Sequence, residues 1–125
     1  MNTRAIGQKA ESFAFEKLKS GGMLLLSKNY STPYGEADAI FRDGAEYVFV
    51  EVKARKRMTY GTPAEAVTKS KMKRYLQIAQ YYFLQNGIED YAVRFDVVEV
   101  YTLCEPPVVN HIKNAFDFSG FGEFY

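Results

Sequence analysis

One cysteine and one histidine in 125 residues close off two large classes of small protein. Cys104 alone cannot form an internal disulfide, and with His111 it supplies only half of the four ligands of a Cys/His zinc site. Apolar runs are also short, and none approaches the ~20 residues needed to span a bilayer. The opening stretch MNTRAIGQKAESFAF lacks the apolar core of a secretory signal, so the expected compartment is the cytoplasm. No internal repeat, linker or low-complexity tract is visible. Net charge is scarce as well, at +1, a value that by itself says nothing about nucleic acid.

What is present is an ordinary globular composition, 47% hydrophobic and 25% charged, expected to form one domain over residues 1–125. A chain of this size buries roughly two-thirds of its unfolded surface around one core. The charge is unevenly placed. From Lys53 to Arg74 eight basic residues face one acid, Glu65, a local charge of +7 that leaves −6 for the rest. Such a segment, with Arg55, Lys56, Arg57, Lys69, Lys71, Lys73 and Arg74, suits either a polyanion-binding face or a solvated helix and loop.

Periodicity predicts a helix over 3–19, stopped by Gly21-Gly22, then a buried-type strand in MLLLSKNY. GEADAIF and YVFVEVK read as a hairpin about Asp43-Gly44. Thr62, Pro63 and Glu65 form a capping-box pattern, predicting that the longest helix opens there and ends at Asn86-Gly87. Met72, Tyr75, Leu76, Ala79, Tyr82 and Phe83 are its expected buried stripe. YAVRFDVVEVY and PVVNHIKNAF supply two further strands, giving α-β-β-β-α-β-β and one α/β domain with a mixed sheet.

Within the hairpin, strands of buried character carry Glu36, Asp38, Glu51 and Lys53. Alternation puts Glu36 with Asp38 and Glu51 with Lys53. Antiparallel pairing, with residue numbers summing to about 87–89, sets Asp38 or Glu36 opposite Glu51. Two carboxylates at ~4 Å repel by about 4 kcal/mol at an effective dielectric of 20. A shared proton, Lys53 or a divalent cation must offset that. Two carboxylates, a carbonyl and water suit Mg²⁺ or Mn²⁺, whereas a cross-strand salt-bridge ladder explains the same charges without metal.

IGQKAE, GEADAIF, VFVEVKAR, AVTKSK, RFDVVEV and HIKNAF, in that order from about Gly7 to Phe116, resemble the YraN-like family of bacterial proteins. That uncharacterised family is assigned to the PD-(D/E)xK nuclease superfamily. The resemblance implies a restriction-endonuclease-like three-layer core, αβββαβ with a mixed central sheet, as also found in Holliday-junction resolvases. It implies Asp38, Glu51 and Lys53 as the catalytic set, with Glu36 an additional acid and Glu11 the first-helix glutamate that completes such sites. Asp38, Glu51 and Glu36 are the implied metal ligands. The family usually has bulky apolar residues where Ala37 and Ala39 stand, a departure expected to affect packing on the opposite face.

The expected activity is Mg²⁺- or Mn²⁺-dependent hydrolysis of DNA phosphodiesters, in branched or single-stranded substrates. Arg55–Arg57 and Lys69–Arg74 are expected to grip the backbone, and Tyr60 to stack a base or simply hold a turn. Arg94 and Asp96 are expected to form a structural ion pair, and His111 and Cys104 to be structural. Two other classes fit: a nucleic-acid-binding module that does not cut, and an interaction domain or homodimer built on the aromatic tail at about 117–125, where Phe116, Phe118, Phe121, Phe124 and Tyr125 are strung between glycines and are expected to dock on the body or on a second subunit.

Overall fold

Among the described residues, a five-stranded sheet in the order β1-β2-β3-β4-β5 has one helix packed on each face. The computed structural model describes residues 3–56 and 68–116. Helix α1 spans Thr3–Ser20, followed by β1 (Leu24–Thr32), β2 (Gly35–Asp43) and β3 (Glu46–Arg55). Helix α2 (Lys69–Gln85) precedes β4 (Ala92–Tyr101) and β5 (Val108–Ile112). All neighbouring strands are antiparallel except β3 and β4, which are parallel and joined through α2. This is the restriction-endonuclease-like core, a mixed sheet between two helical layers.

The two faces of the sheet are packed differently. Under α1 the core is largely aliphatic, with Ala10, Ala14 and Leu18 against Val48, Val50, Val98 and Val100, and a tilted Phe15–Phe41 pair. Under α2 it is aromatic: Phe49, Phe83, Phe95 and Phe116 are buried, with Tyr47 and Tyr82 packed against them. Phe116 stacks on Phe95 at 5.4 Å and meets the Tyr75 ring edge-on. Each fully buried Phe or Val contributes about 1.5–3 kcal/mol by leaving water, so both helices are fixed against β3 and β4.

The hairpin holds its predicted strands but turns one residue later. Asp43 pairs with Glu46, the loop is Gly44-Ala45, and paired numbers sum to 89 throughout. Gly44 takes φ 59 at the first loop position, a conformation that suits a residue without Cβ. At the same end Arg94 bonds Asp43, Glu46 and Asp96, and Asp96 also takes His111 Nε2 at 2.7 Å and the Asn114 amide. Burial works against this carboxylate's charge, but His111, Arg94 and the Asn114 N–H overcome it and hold Asp96 below the usual aspartate range. The expected Arg94–Asp96 pair is therefore the centre of a clamp joining the hairpin tip to β4 and the end of β5.

Three sequence expectations differ from the structure. Helix α2 starts at Lys69, with Thr68 in extended conformation as its N-cap and the Thr68 hydroxyl accepting from the Lys71 amide. The pattern at Thr62, Pro63 and Glu65 lies outside the described residues, as do Arg57, Tyr60 and the aromatic tail. α1, at 18 residues against 17, is the longer of the described helices. Strand β1 is an edge strand, so Leu24 and Leu26 of the apparent buried run are exposed while Met23 and Leu25 reach the core. Ala37 and Ala39 are both fully buried, Ala37 packed with the α2-side cluster and Ala39 with the α1-side cluster.

Candidate active site

Strands β2 and β3 part company halfway along the hairpin. Their pairing runs from Asp43↔Glu46 to Ala39↔Val50 and stops. Beyond that, β2 continues paired only with β1, down to Thr32↔Gly35, and β3 continues paired only with β4, out to Arg55↔Tyr101. Asp38 and Glu51, next in register, stand where the fork opens. The Val52 amide, which faces β2, donates instead to the Asp38 carboxylate at 2.7 Å. That bond orients Asp38 and satisfies a main-chain donor that the parted ladder leaves over. Burial raises the Asp38 pKa; the Val52 amide pulls it back, while the charges of Glu51 and Glu36 raise it further.

Glu51 meets two cations. Its Oε1 lies 3.6 Å from Lys53 Nζ and in closer contact with Lys71 Nζ, reaching across from the first turn of α2. Both partners of the Lys71 pair are largely buried, with side chains 17% and 12% exposed. Burial is the main influence lowering the Lys71 pKa; the Glu51 carboxylate opposes it and the neighbouring Lys53 reinforces it. The second oxygen, Oε2, is buried with no hydrogen-bond partner among the described residues. A buried acceptor left unpaired costs about 1–3 kcal/mol, more when charged. Tyr75 lies beneath, its phenol held neutral chiefly by burial and then by the Glu51 and Asp38 charges.

Glu36 is exposed and accepts from the Ser31 hydroxyl at 3.1 Å. Glu11, half-buried on α1, lines an open cavity of about 370 Å³ with Gly7, Gln8, Asn29 and Glu36. Burial, and then the charges of Asp38 and Glu36, raise the Glu11 pKa, so the first helix does bring this acid near the strand acids. Among the described residues no group of three His, Cys, Asp or Glu side chains is assembled for a metal ion. The donor set at the fork is thus two carboxylates, one with a bare buried oxygen. That chemistry fits a hard divalent cation that completes its shell with carbonyl oxygen and water.

The basic residues divide into two groups. Arg55 is held by the buried Glu99, Nε to Oε2 at 3.1 Å, and Glu99 also accepts from the Tyr101 hydroxyl and the Asn110 amide. Lys71 faces Glu51. Lys56, Lys69, Lys73 and Arg74 are exposed and available to a polyanion. Sequence reading placed Lys71 among the backbone-gripping lysines and assigned Glu99 nothing. Only the fold reveals their partners, because nothing in local spacing links α2 to β3 or β4 to Arg55.

Residues 10–100 match the family model described as uncharacterised protein family UPF0102. The chain belongs to that family. Relatives of the same family include a UPF0102 protein of Clostridioides difficile, 40% identical over 116 residues covering 93% of this chain and 100% of the relative. Others are from Caldicellulosiruptor saccharolyticus, 40% identical over 118 residues, and Dictyoglomus turgidum, 36% identical over 118 residues, each covering 93% of this chain and 100% of the relative. The similarity to UPF0102 proteins therefore includes the whole stretch from Glu11 through the fork to Glu99.

Proposed function

We propose that this chain is a metal-dependent phosphodiesterase acting on DNA, with Asp38 and Glu51 at its centre. The observation that carries the reading is the fork: two carboxylates at parting strands, one with an unpartnered buried oxygen, flanked by Lys53 and Lys71. Asp38 and Glu51 would hold Mg²⁺ or Mn²⁺, with Glu36 and Glu11 beside them. When bound, such a cation lowers the pKa of its water and polarises the phosphoryl oxygen. Val52 N–H keeps the Asp38 carboxylate aimed into the fork. Lys53 and Lys71 supply fixed positive charge where charge develops on the phosphate. Lys56, Lys69, Lys73 and Arg74 hold the backbone, so binding falls steeply with salt.

A second reading is favoured by one observation. The Lys71–Glu51 pair partly neutralises the site without any metal, as a DNA-binding module that does not cut would require. Mg²⁺ and Mn²⁺ titration of wild type, Asp38→Ala and Lys53→Ala, with labelled duplex, single-stranded and four-way-junction DNA, separates the two. Cleavage by wild type that both variants lose supports the phosphodiesterase. Salt-sensitive binding that persists in Asp38→Ala, without cleavage by wild type, supports the module.

A further inference from the structure

On the exposed side of α2, about one helix diagonal from the fork, Tyr34, Gln77, Gln80, Tyr81 and Leu84 enclose an open cavity of about 260 Å³. We propose that it is a nucleobase subsite, which makes an unpaired DNA strand the substrate. This rests on the nucleic-acid reading above and extends it to substrate shape.

The cavity has the composition that an unstacked base needs. Tyr34 is 48% exposed, and its ring meets Tyr81 edge-on at 6.3 Å, leaving aromatic surface free for a third ring. Leu84, 80% exposed, adds an apolar wall, and Gln77 and Gln80 each offer donor and acceptor to a base edge. The volume is below the ~300–1,000 Å³ of a drug-sized site and suits one planar ring system. Tyr34 is also presented by a preformed turn: its amide donates to Thr32 Oγ1 at 3.0 Å, and that hydroxyl donates to the Gly35 carbonyl at 2.8 Å. Little ordering is then left to oppose binding.

Charge on the same helix face selects a polyanion over an apolar peptide. Lys73, Gln77, Gln80 and Leu84 follow one another at three- and four-residue steps, as do Arg74, Gln77 and Tyr81, and the sequence of α2 contains no acid. The Arg74 stem packs on Gly35, where an added Cβ would sit 2.9 Å from Arg74 Cδ, so this arginine stands between the tyrosine turn and the start of β2. From Lys71, at Glu51, to Tyr81 is ten residues, about 15 Å of helix. That is about four stacked nucleotides at ~3.4 Å each. A duplex keeps its base faces stacked and cannot fill the cavity without opening, whereas a single strand can.

The test uses the full chain in the Asp38→Ala background, so that binding is read without cleavage. Anisotropy is measured for a labelled single strand of about ten nucleotides, a size within single-strand binding footprints, for the duplex of the same sequence, and for the single strand made abasic. Tyr81→Ala and Tyr34→Ala are expected to weaken the single strand roughly 5- to 150-fold, the range of a base–aromatic stack, with duplex binding little changed. The abasic strand should bind as weakly to the parent as the normal strand does to Tyr81→Ala, and Tyr81→Phe should retain tight binding. Equal losses for single strand and duplex, or no loss, overturn the subsite. So does a dimer in sedimentation that Tyr81→Ala converts to monomer, which would assign the cavity to a second copy. Single-strand binding through Tyr81 with no cleavage by the Asp38 parent protein would leave the subsite standing and remove the phosphodiesterase. Cleavage with tyrosine variants binding normally would do the reverse.

Discussion

Glu51 is the residue on which the site turns, because its two oxygens have opposite circumstances. Oε1 faces Lys53 and Lys71, while Oε2 is buried and unpartnered. Removing one member of a buried pair is costly because the other charge remains; with Lys53 still 3.6 Å away, Lys71→Met should cost about 1–3 kcal/mol, less than the full ~3–5 of an abandoned pair. The same change frees Oε1 for a cation. Mg²⁺ or Mn²⁺ should therefore raise the melting temperature of Lys71→Met more than that of wild type, and should do nothing for Glu51→Gln. Thermal unfolding with and without metal decides this, and identical metal responses in wild type and Lys71→Met would remove the ion from Glu51. Asp38, Glu51 and Lys53 were legible as a cluster in the sequence, because strand alternation and a short hairpin fix which residues oppose each other. Lys71 was legible only as one of several basic residues, since its partner sits on another element.

At the scale of elements, α2 delivers Lys71 only if its first turn is held, and Thr68 holds it. The hydroxyl takes the Lys71 amide at 3.1 Å, so Thr68→Ala should lose about 1 kcal/mol, the usual cost of a lost N-cap. Thr68→Asp or Thr68→Asn should restore most of it. Urea unfolding midpoints measure both, and an alanine variant as stable as wild type would mean that the cap contributes nothing. The sequence offered Thr62 as the starting point. Its local signature is full, yet α2 begins at Lys69 and the buried stripe at Met72, one turn beyond. Local capping chemistry marks where a helix can begin, whereas the packed face decides where this one does. The leucine run of β1 illustrates the same limit, because periodicity cannot tell an edge strand from a central one. Ile78 was missed from the stripe, although it is fully buried and lies beside Gly35.

The molecule as a whole is built around a hairpin closed at one end and open at the other. Arg94, Asp43, Glu46, Asp96, His111 and Asn114 fasten the turn, and the pairing they fix carries Asp38 into register with Glu51 at the fork. The element order and the mixed sheet could be read from hydrophobic pattern alone, but the clamp could not, because it gathers charges from three distant stretches of chain. Its pH dependence follows from Asp96. That carboxylate titrates below its ordinary value of 3.8 in the folded protein, so the unfolded chain binds its proton first as pH falls. The stabilisation it provides is complete above the unfolded value and is lost as pH falls through the lower, folded one. Asp96→Asn should therefore be less stable near neutrality by about 1–3 kcal/mol, less than the full ~3–5 of an abandoned pair, since Arg94 keeps Asp43 and Glu46. It should also show a flatter decline in acid, because one proton-linked contribution has gone. Denaturation midpoints from neutral pH down into strong acid test both parts. Parallel acid limbs in wild type and variant would mean that the clamp holds the hairpin by shape rather than by the charge of Asp96.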